Sequence, residues 1–456
     1  MTPAPARAWA ALAALCVGLF TTMADLTLIA VAIPHIQSDL DATVGEAVWV
    51  SAIYLLAFAA PLLLTGRLGD RYGAKNLYLA GMSLFVVASA ASAFAPGIEI
   101  LIVTRGLQGL GAALLNPQPL SVINQLFPLH RRGAAMGVWA AVAASAGVVG
   151  PTLGGLIVST AGWRWVFVIY LPLGLLSIVL TAVFVPRLPR RPVRIDTVSV
   201  LLSFAAITAV VVALQQGPGS DWAAWIWALL LVGIAALIVF VWRQRSVDRK
   251  FGTALVPPAL FRYRNFAVGI AANSVLGFVG YSVALPIMLY FQTAAGLSAA
   301  DAGLLMLPMA VTSILLSPVT GRLADRFPPG NLTVSGFALM LLSMLVFAVM
   351  MFSRMAPLWG IVPLVMLGAA NALCWGSNSV AALRELPASI LGAGSGAYNT
   401  SRQVGAAVGA ATLGAAMQIG VARMSFADAM AGTMLVPAAV LVVGLVVATR
   451  FRNSRE

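Results

Sequence analysis

Asp25, in the stretch ADLTLIAVAIP, is the only carboxylate well inside a long apolar run of this sequence. An acid in such a place is costly, roughly 2.5–3.5 kcal/mol on insertion scales, and it marks a working group more often than a passive one. Burial favours its neutral form and a neighbouring cation favours its charged form, so the position could exchange a proton for a cation. A protonated Asp25 bonded to an adjacent helix is the plainer alternative. Arg105, in TRGLQGLGAAL, is the matching oddity: a guanidinium in apolar surroundings must be paired or bonded to carbonyls. It could support proton transfer, or it could clamp two helices together.

A second polar feature is written twice. GRLGDRYGAK begins at Gly66 and GRLADRFPPG at Gly321, each between two apolar runs. Both read as tight polar turns between buried helices. Gly66 and Gly73 would permit the turn, Asp70 would meet donors or the positive end of a helix, and Arg67, Arg71 and Lys75 would pair with carboxylates or lipid phosphates. Such contacts suit a latch made in one conformation and broken in another. Positive charge acting only as a topology signal would account for the arginines but not for Asp70. The second copy carries Asp325 but ends in Pro328 and Pro329, so a weaker latch is expected there.

These groups must be held by membrane helices. The chain has 456 residues, 61% hydrophobic and 9% charged, far from the quarter or so of charged residues usual in a soluble domain. Its apolar residues run in blocks near 8–34, 47–65, 76–95, 98–123, 133–158, 165–186, 197–216, 223–242, 266–292, 302–320, 331–352, 357–382, 391–418 and 430–449. Each is about the length that crosses a hydrocarbon core. The expectation is an all-α polytopic protein with fourteen spans. With the N-terminus inside, only Arg164, Arg354 and Arg423 of the 27 Lys and Arg fall in outer loops, which puts both termini in the cytoplasm. The net charge of +13 is then a matter of topology and anionic lipid, not of nucleic acid. The first apolar run is too long for a signal-peptide core and leads straight into a second span, so no cleaved leader is expected.

The repeated turn divides the chain. Residues 1–186 form one six-helix bundle, 266–456 form the other, and 187–265 hold two extra helices between basic linkers. Parallel halves around a central site are a transporter architecture. Other classes fit poorly. The lysines, Lys75 and Lys250, belong to no GxxxxGK[ST] motif, and His35 and His130 to no HExxH motif. No metal site and no enzymatic centre are expected. Cys16 and Cys374 lie in apolar runs and read as small packing residues.

Four motifs in order carry a family resemblance. GRLGDRYGAK resembles the cytoplasmic loop signature of the major facilitator superfamily. TRGLQGLGAAL resembles its fourth-helix signature, AGVVGPTLGG the fifth-helix antiporter signature, and ADLTLIAVAIP the first-helix signature of the fourteen-helix drug:proton antiporters. Ala30, Ala74, Ala146 and Tyr170 depart from the usual residues, without removing a charge from the interior. The resemblance implies efflux of lipophilic, cationic drugs or toxic compounds across the cytoplasmic membrane, driven by the proton gradient without a cofactor. A dedicated exporter of one metabolite or natural product would carry the same motifs. Partners would be small molecules and membrane lipids, and the protein would be monomeric.

Within that frame Asp25 and Arg105 are the proton-coupling candidates. Gly147, Gly150, Pro151, Gly154 and Gly155 would make the fifth span a closely packed hinge. Asp25, Trp49, Asn116, Gln118, Asn273, Tyr281, Trp375 and Asn378 are the candidate substrate contacts, chosen as polar or aromatic groups in spans that could face a central cavity. Each could equally be packing.

Overall fold

A computed structural model describes residues 5–127, 129–188, 196–251 and 254–452. All regular elements among them are helical. In chain order these are α1 Pro5–Asp39, α2 Val44–Ala59, α3 Leu62–Tyr72, α4 Ala74–Ala93, α5 Ile98–Leu115, α6 Gln118–Leu126, α7 Leu129–Ala161, α8 Arg164–Val168, α9 Tyr170–Phe184 and α10 Thr197–Gln216. There follow α11 Ala224–Phe251, α12 Arg264–Ser282, α13 Ala284–Leu289, α14 Ala299–Leu305, α15 Leu307–Arg326, α16 Pro329–Phe352, α17 Ile361–Leu383, α18 Ala388–Val421, α19 Phe426–Thr433 and α20 Leu435–Ala448.

Among the described residues, twelve helical stretches are long and apolar enough to cross a membrane. A further apolar helix, Val44–Ala59, is shorter and falls where the sequence predicts the second span, and the end of α7, Thr152–Ala161, is apolar where the fifth is predicted. The second is interrupted at Pro61, which has no N–H to continue the ladder of α2 and opens α3. This is a membrane protein with many spans.

The face on which α1 begins and α20 ends is the terminal face; the opposite one is the far face. On the far face three helices start on hydroxyl caps: Thr43 with Glu46 closes a capping box on α2, and Ser298 and Ser425 accept from the backbone of Asp301 and Asp428. These starts fix where the paired spans enter the apolar layer.

Helices are drawn together by glycine. A Cβ on Gly109 would lie 2.4 Å from the Tyr54 carbonyl, one on Gly277 2.0 Å from that of Arg402, and one on Gly405 2.1 Å from that of Ser274. Thus α5 meets α2, and α12 meets α18, backbone to backbone, as small residues allow where no hydrophobic force separates helix from lipid. The extra helices α10 and α11 pack on each other, and α10 also touches α2 and α18. Leu231, Val232, Ile238 and Trp242 of α11 are exposed, an apolar surface suited to lipid. Cys16 and Cys374 are free and buried.

The first charged repeat is more helical than the sequence suggests. Gly66 lies inside α3, with open space where a Cβ would be, and the chain reverses at Gly73 alone, with φ of +95°. The second copy likewise spans the end of α15 and the start of α16.

Candidate functional site

Asp25 sits midway along α1, and Arg105 in the middle of α5. Both side chains are fully buried, and they form an ion pair at 2.7 Å. One Arg105 nitrogen, Nη1, donates to Asp25 Oδ1 at 2.9 Å, to Oδ2 at 2.7 Å and to Gln108 Oε1 at 2.7 Å. Nε donates to the Val50 carbonyl at 3.1 Å, tying the pair to α2. Gln108, one turn after Arg105, returns its amide to Asp25 Oδ1 at 3.3 Å and to Ser89 Oγ of α4 at 2.8 Å. Four helices therefore meet on one carboxylate.

Aromatic rings close the pocket. The guanidinium lies 4.4 Å from the Tyr54 ring centroid and 5.9 Å from that of Phe167, a placement in which ring faces add to the attraction on a cation. Tyr170 stacks edge-on against Phe85 at 5.7 Å. Its buried hydroxyl neighbours Asp25 without a hydrogen bond of good geometry. Arg105 Nη2 is also buried and unpartnered. The pair is dry and strongly held, yet two polar atoms beside it remain open to a partner.

Arg105 reaches a cleft between the chain's halves. Ala30, Ser51 and Leu55 form one wall with it, and Ser282, Ala410 and Met417 form the other. The cleft has a volume of about 20 Å³, room for little more than one water. It cannot hold an organic molecule in this state. On the far side three contacts join its two walls' helices or their neighbours. A Cβ on Gly155 of α7 would lie 2.4 Å from the Ala299 carbonyl of α14. Gln292 donates to the Val31 carbonyl at 3.1 Å, and Gly45 packs on the Gln418 side chain.

The remaining sequence candidates divide by position. Gly150 and Gly154 face α1, where added Cβ atoms would meet Thr27 Oγ1 at 1.9 Å and Leu28 Cδ2 at 3.1 Å. Arg67 donates to the Ala254 carbonyl at 2.8 Å and Lys75 to the Ala182 carbonyl at 2.7 Å near the end of α9, a favourable place for a cation. Arg71 is exposed, 5.4 Å from the Tyr72 ring centroid. Asp70, Gly147, Pro151, Tyr281 and Asp325 lie outside the described side chains.

Gln118 is spent on the Thr65 and Leu114 carbonyls. Asn273 donates to the Tyr398 carbonyl at 2.6 Å, and Asn378 to Tyr398 Oη at 2.7 Å. Trp375 donates to Asn371 Oδ1 at 3.1 Å. Trp49 and Asn116 are half-buried. Of the substrate candidates, none forms part of the small cleft; its walls are mostly apolar. Sequence reasoning singled out neither Tyr54 nor Ser89. The spacing of Ser89 and Gln108 on facing helices carries no signal of its own, whereas Tyr54 could have been sought as the ring that a buried Arg needs.

The sequence matches the profile of the Major Facilitator Superfamily over residues 15–410. The chain belongs to the major facilitator superfamily. It is 38% identical to an uncharacterized MFS-type transporter of Mycobacterium tuberculosis, across 96% of this chain and 80% of that one. It is 33% identical to the multidrug efflux pump LfrA of Mycolicibacterium smegmatis, across 91% and 81%. It is 34% identical to a methylenomycin A resistance protein of Streptomyces coelicolor, across 88% and 84%. The fold is shared with a D-xylose–proton symporter, at a TM-score of 0.69, 15% identity and 98% coverage of both chains. A POT family peptide transporter gives 0.72, 16% and 99% of both. The named relatives in this superfamily include efflux and resistance transporters.

Proposed function

We propose that this chain exports lipophilic compounds across the cytoplasmic membrane in exchange for protons, by alternating access. The observation that carries the reading is the fully buried Asp25–Arg105 pair at the wall of the cleft between the halves. A proton on Asp25 removes the Coulomb attraction to Arg105 while leaving a hydrogen bond possible, so protonation loosens α1 from α5. Arg105 then has spare donors to offer elsewhere. Cationic compounds would compete with Arg105 for the same carboxylate, which is the exchange an antiporter needs. The names of the relatives support efflux over uptake.

In this reading α2 and α7 also span, giving fourteen spans in all, and the basic residues place both termini in the cytoplasm. Residues 1–186 and 266–456 are the rocking halves, with 187–265 beside their seam. The far-face contacts are then the outer gate, closed here. Residues Gly66, Arg67, Asp70, Arg71, Gly73 and Lys75, with Asp325 in the second copy, form the inner gate that engages when the halves rock. Gly147, Gly150, Pro151, Gly154 and Gly155 keep α7 close to its neighbours in both states. The proton gradient is the sole energy source, and the monomer in its lipid is the working unit. An exporter dedicated to one natural product fits the same machinery.

The test is ethidium accumulation in inverted vesicles holding the full chain. Accumulation should follow an imposed inside-acid gradient and vanish with nigericin. Accumulation indifferent to the gradient, or none from a panel of lipophilic dyes at verified expression, overturns the proposal.

A further inference from the structure

Arg402 is a second guanidinium within the apolar interior, and it has no counter-charge among the described residues. It lies in α18, half-buried, with its guanidinium carbon 5.5 Å from the Trp375 ring centroid. The ion pairs among the described residues are Arg105–Asp25, Arg164–Asp39, Arg243–Asp196 and Arg354–Asp428. Arg402 is in none of them. None of its donors makes a hydrogen bond to a described residue, and its Nε is buried. A guanidinium offers five N–H donors and stays charged at any physiological pH. A buried, unpartnered Nε on a charged group within the apolar layer is costly unless something else comes to meet it.

Its position says where that partner would arrive. Ala410, Leu413 and Met417 of α18 line the cleft. Arg402, Ala406, Ala410, Leu413 and Met417 are spaced by four, four, three and four residues, so they share one face of the helix. Arg402 thus continues the cleft wall by about two turns toward the terminal face. The other wall holds Arg105, whose charge Asp25 cancels but whose Nη2 is unpartnered. The interior ionisable groups Asp25, Arg105 and Arg402 leave one uncancelled positive charge, and the open donors all point to an acceptor.

We propose that Arg402 recognises an anionic oxygen group on the transported molecule, a carboxylate or an ionised phenol on an aromatic body, with Trp375 beside it to meet the ring. A planar fork suits a carboxylate bidentately. This rests on the efflux reading and narrows its substrate class, away from the cations expected from Asp25.

The experiment measures binding of tritiated 1-pyrenebutyrate and of its methyl ester to the purified full-length protein. The wild-type protein should bind the acid at least about tenfold more tightly than the ester, the effect of a charge-assisted hydrogen bond. Arg402→Gln should bring the two affinities within about twofold, by weakening the acid. Arg402→Lys, which keeps the charge without the fork, should fall between. Equal affinities in the wild-type protein, or an undiminished preference in a natively melting Arg402→Gln, overturn the proposal. If Arg402→Gln does not fold, Arg402→Lys carries the test, and an acid preference undiminished there overturns the proposal. The binding assay needs no gradient, so the two readings can fail separately. Proton-driven ethidium efflux with no acid preference rejects only this inference, and acid preference without gradient-driven transport rejects only the efflux reading.

Discussion

Asp25→Asn should uncouple the protein without preventing its insertion. The carboxylate accepts two bonds from one Arg105 nitrogen, at 2.9 and 2.7 Å, in a site with no solvent access. Removing one member of a buried ion pair costs roughly 3–5 kcal/mol, because the other charge is stranded. Asn keeps one acceptor oxygen, so the lower end, about 3 kcal/mol, is expected. Its new N–H₂ faces a guanidinium that is itself only a donor. Adding Arg105→Gln removes the stranded charge and should restore at least about 1 kcal/mol, the size of coupling that contacting residues show. Neither variant should transport, since neither carries a group that can gain and lose a proton. The assays are thermal unfolding in detergent and gradient-driven dye uptake at matched abundance. Wild-type uptake by Asp25→Asn, or a double variant that melts no higher than the single one, would refute the reasoning.

Gly150→Ala already brings a methyl into Thr27 Oγ1, so transport should fall modestly, while Gly150→Leu must part α7 from α1 and should abolish it before expression drops; equal transport in the two variants counts against close packing. Asp70→Asn should slow turnover with dye affinity nearly intact, and Asp325→Asn should do less, because the second copy has Pro328 where the first has Gly73 and Gly330 where it has Lys75; equal effects mean the copies are no more than duplicated sequence. Asp196, in the loop before α10, bonds Arg243 twice, at 2.7 and 2.8 Å, and this holds its carboxyl down at about 2. A lowered value stabilises the fold above the unfolded carboxyl range, near 3.9, and the contribution drains away as pH falls from there toward about 2. Melting temperature should therefore drop more between pH 5 and pH 3, as rough bounds of that window, in wild type than in Asp196→Asn.

The fold was legible because lipid imposes long apolar runs, and a run of about 20 residues reads the same wherever it sits. The second span was harder. Pro61 cuts it, so α2 falls short of a span by length, whereas the fifth lies within the long helix α7. Asp25 and Arg105 were visible as misplaced charges, but their bond was not, because 80 residues separate them. The turn in the first charged repeat was assigned to two glycines, although only Gly73 takes the positive φ that needs one. Choosing substrate contacts by residue type gave Gln118, Asn273 and Asn378, which in this state bond neighbouring helices. Facing direction, not polarity, decides who lines a cavity. For α18 that direction was available in the three-and-four spacing from Arg402 to Met417.

The contact of Gly155 with the Ala299 carbonyl bears on how this transporter wastes energy. Where a barrier is built from side chains, a rotamer can swing aside in nanoseconds and let an ion slip past. Here the barrier at that point is main chain against main chain, with no side chain between to swing. It gives way only when whole helices separate, an event on the slower scale of collective motion. Slippage past this point should accordingly be tied to turnover, which leaves the Gln292 and Gln418 side chains as the places where a resting protein would leak.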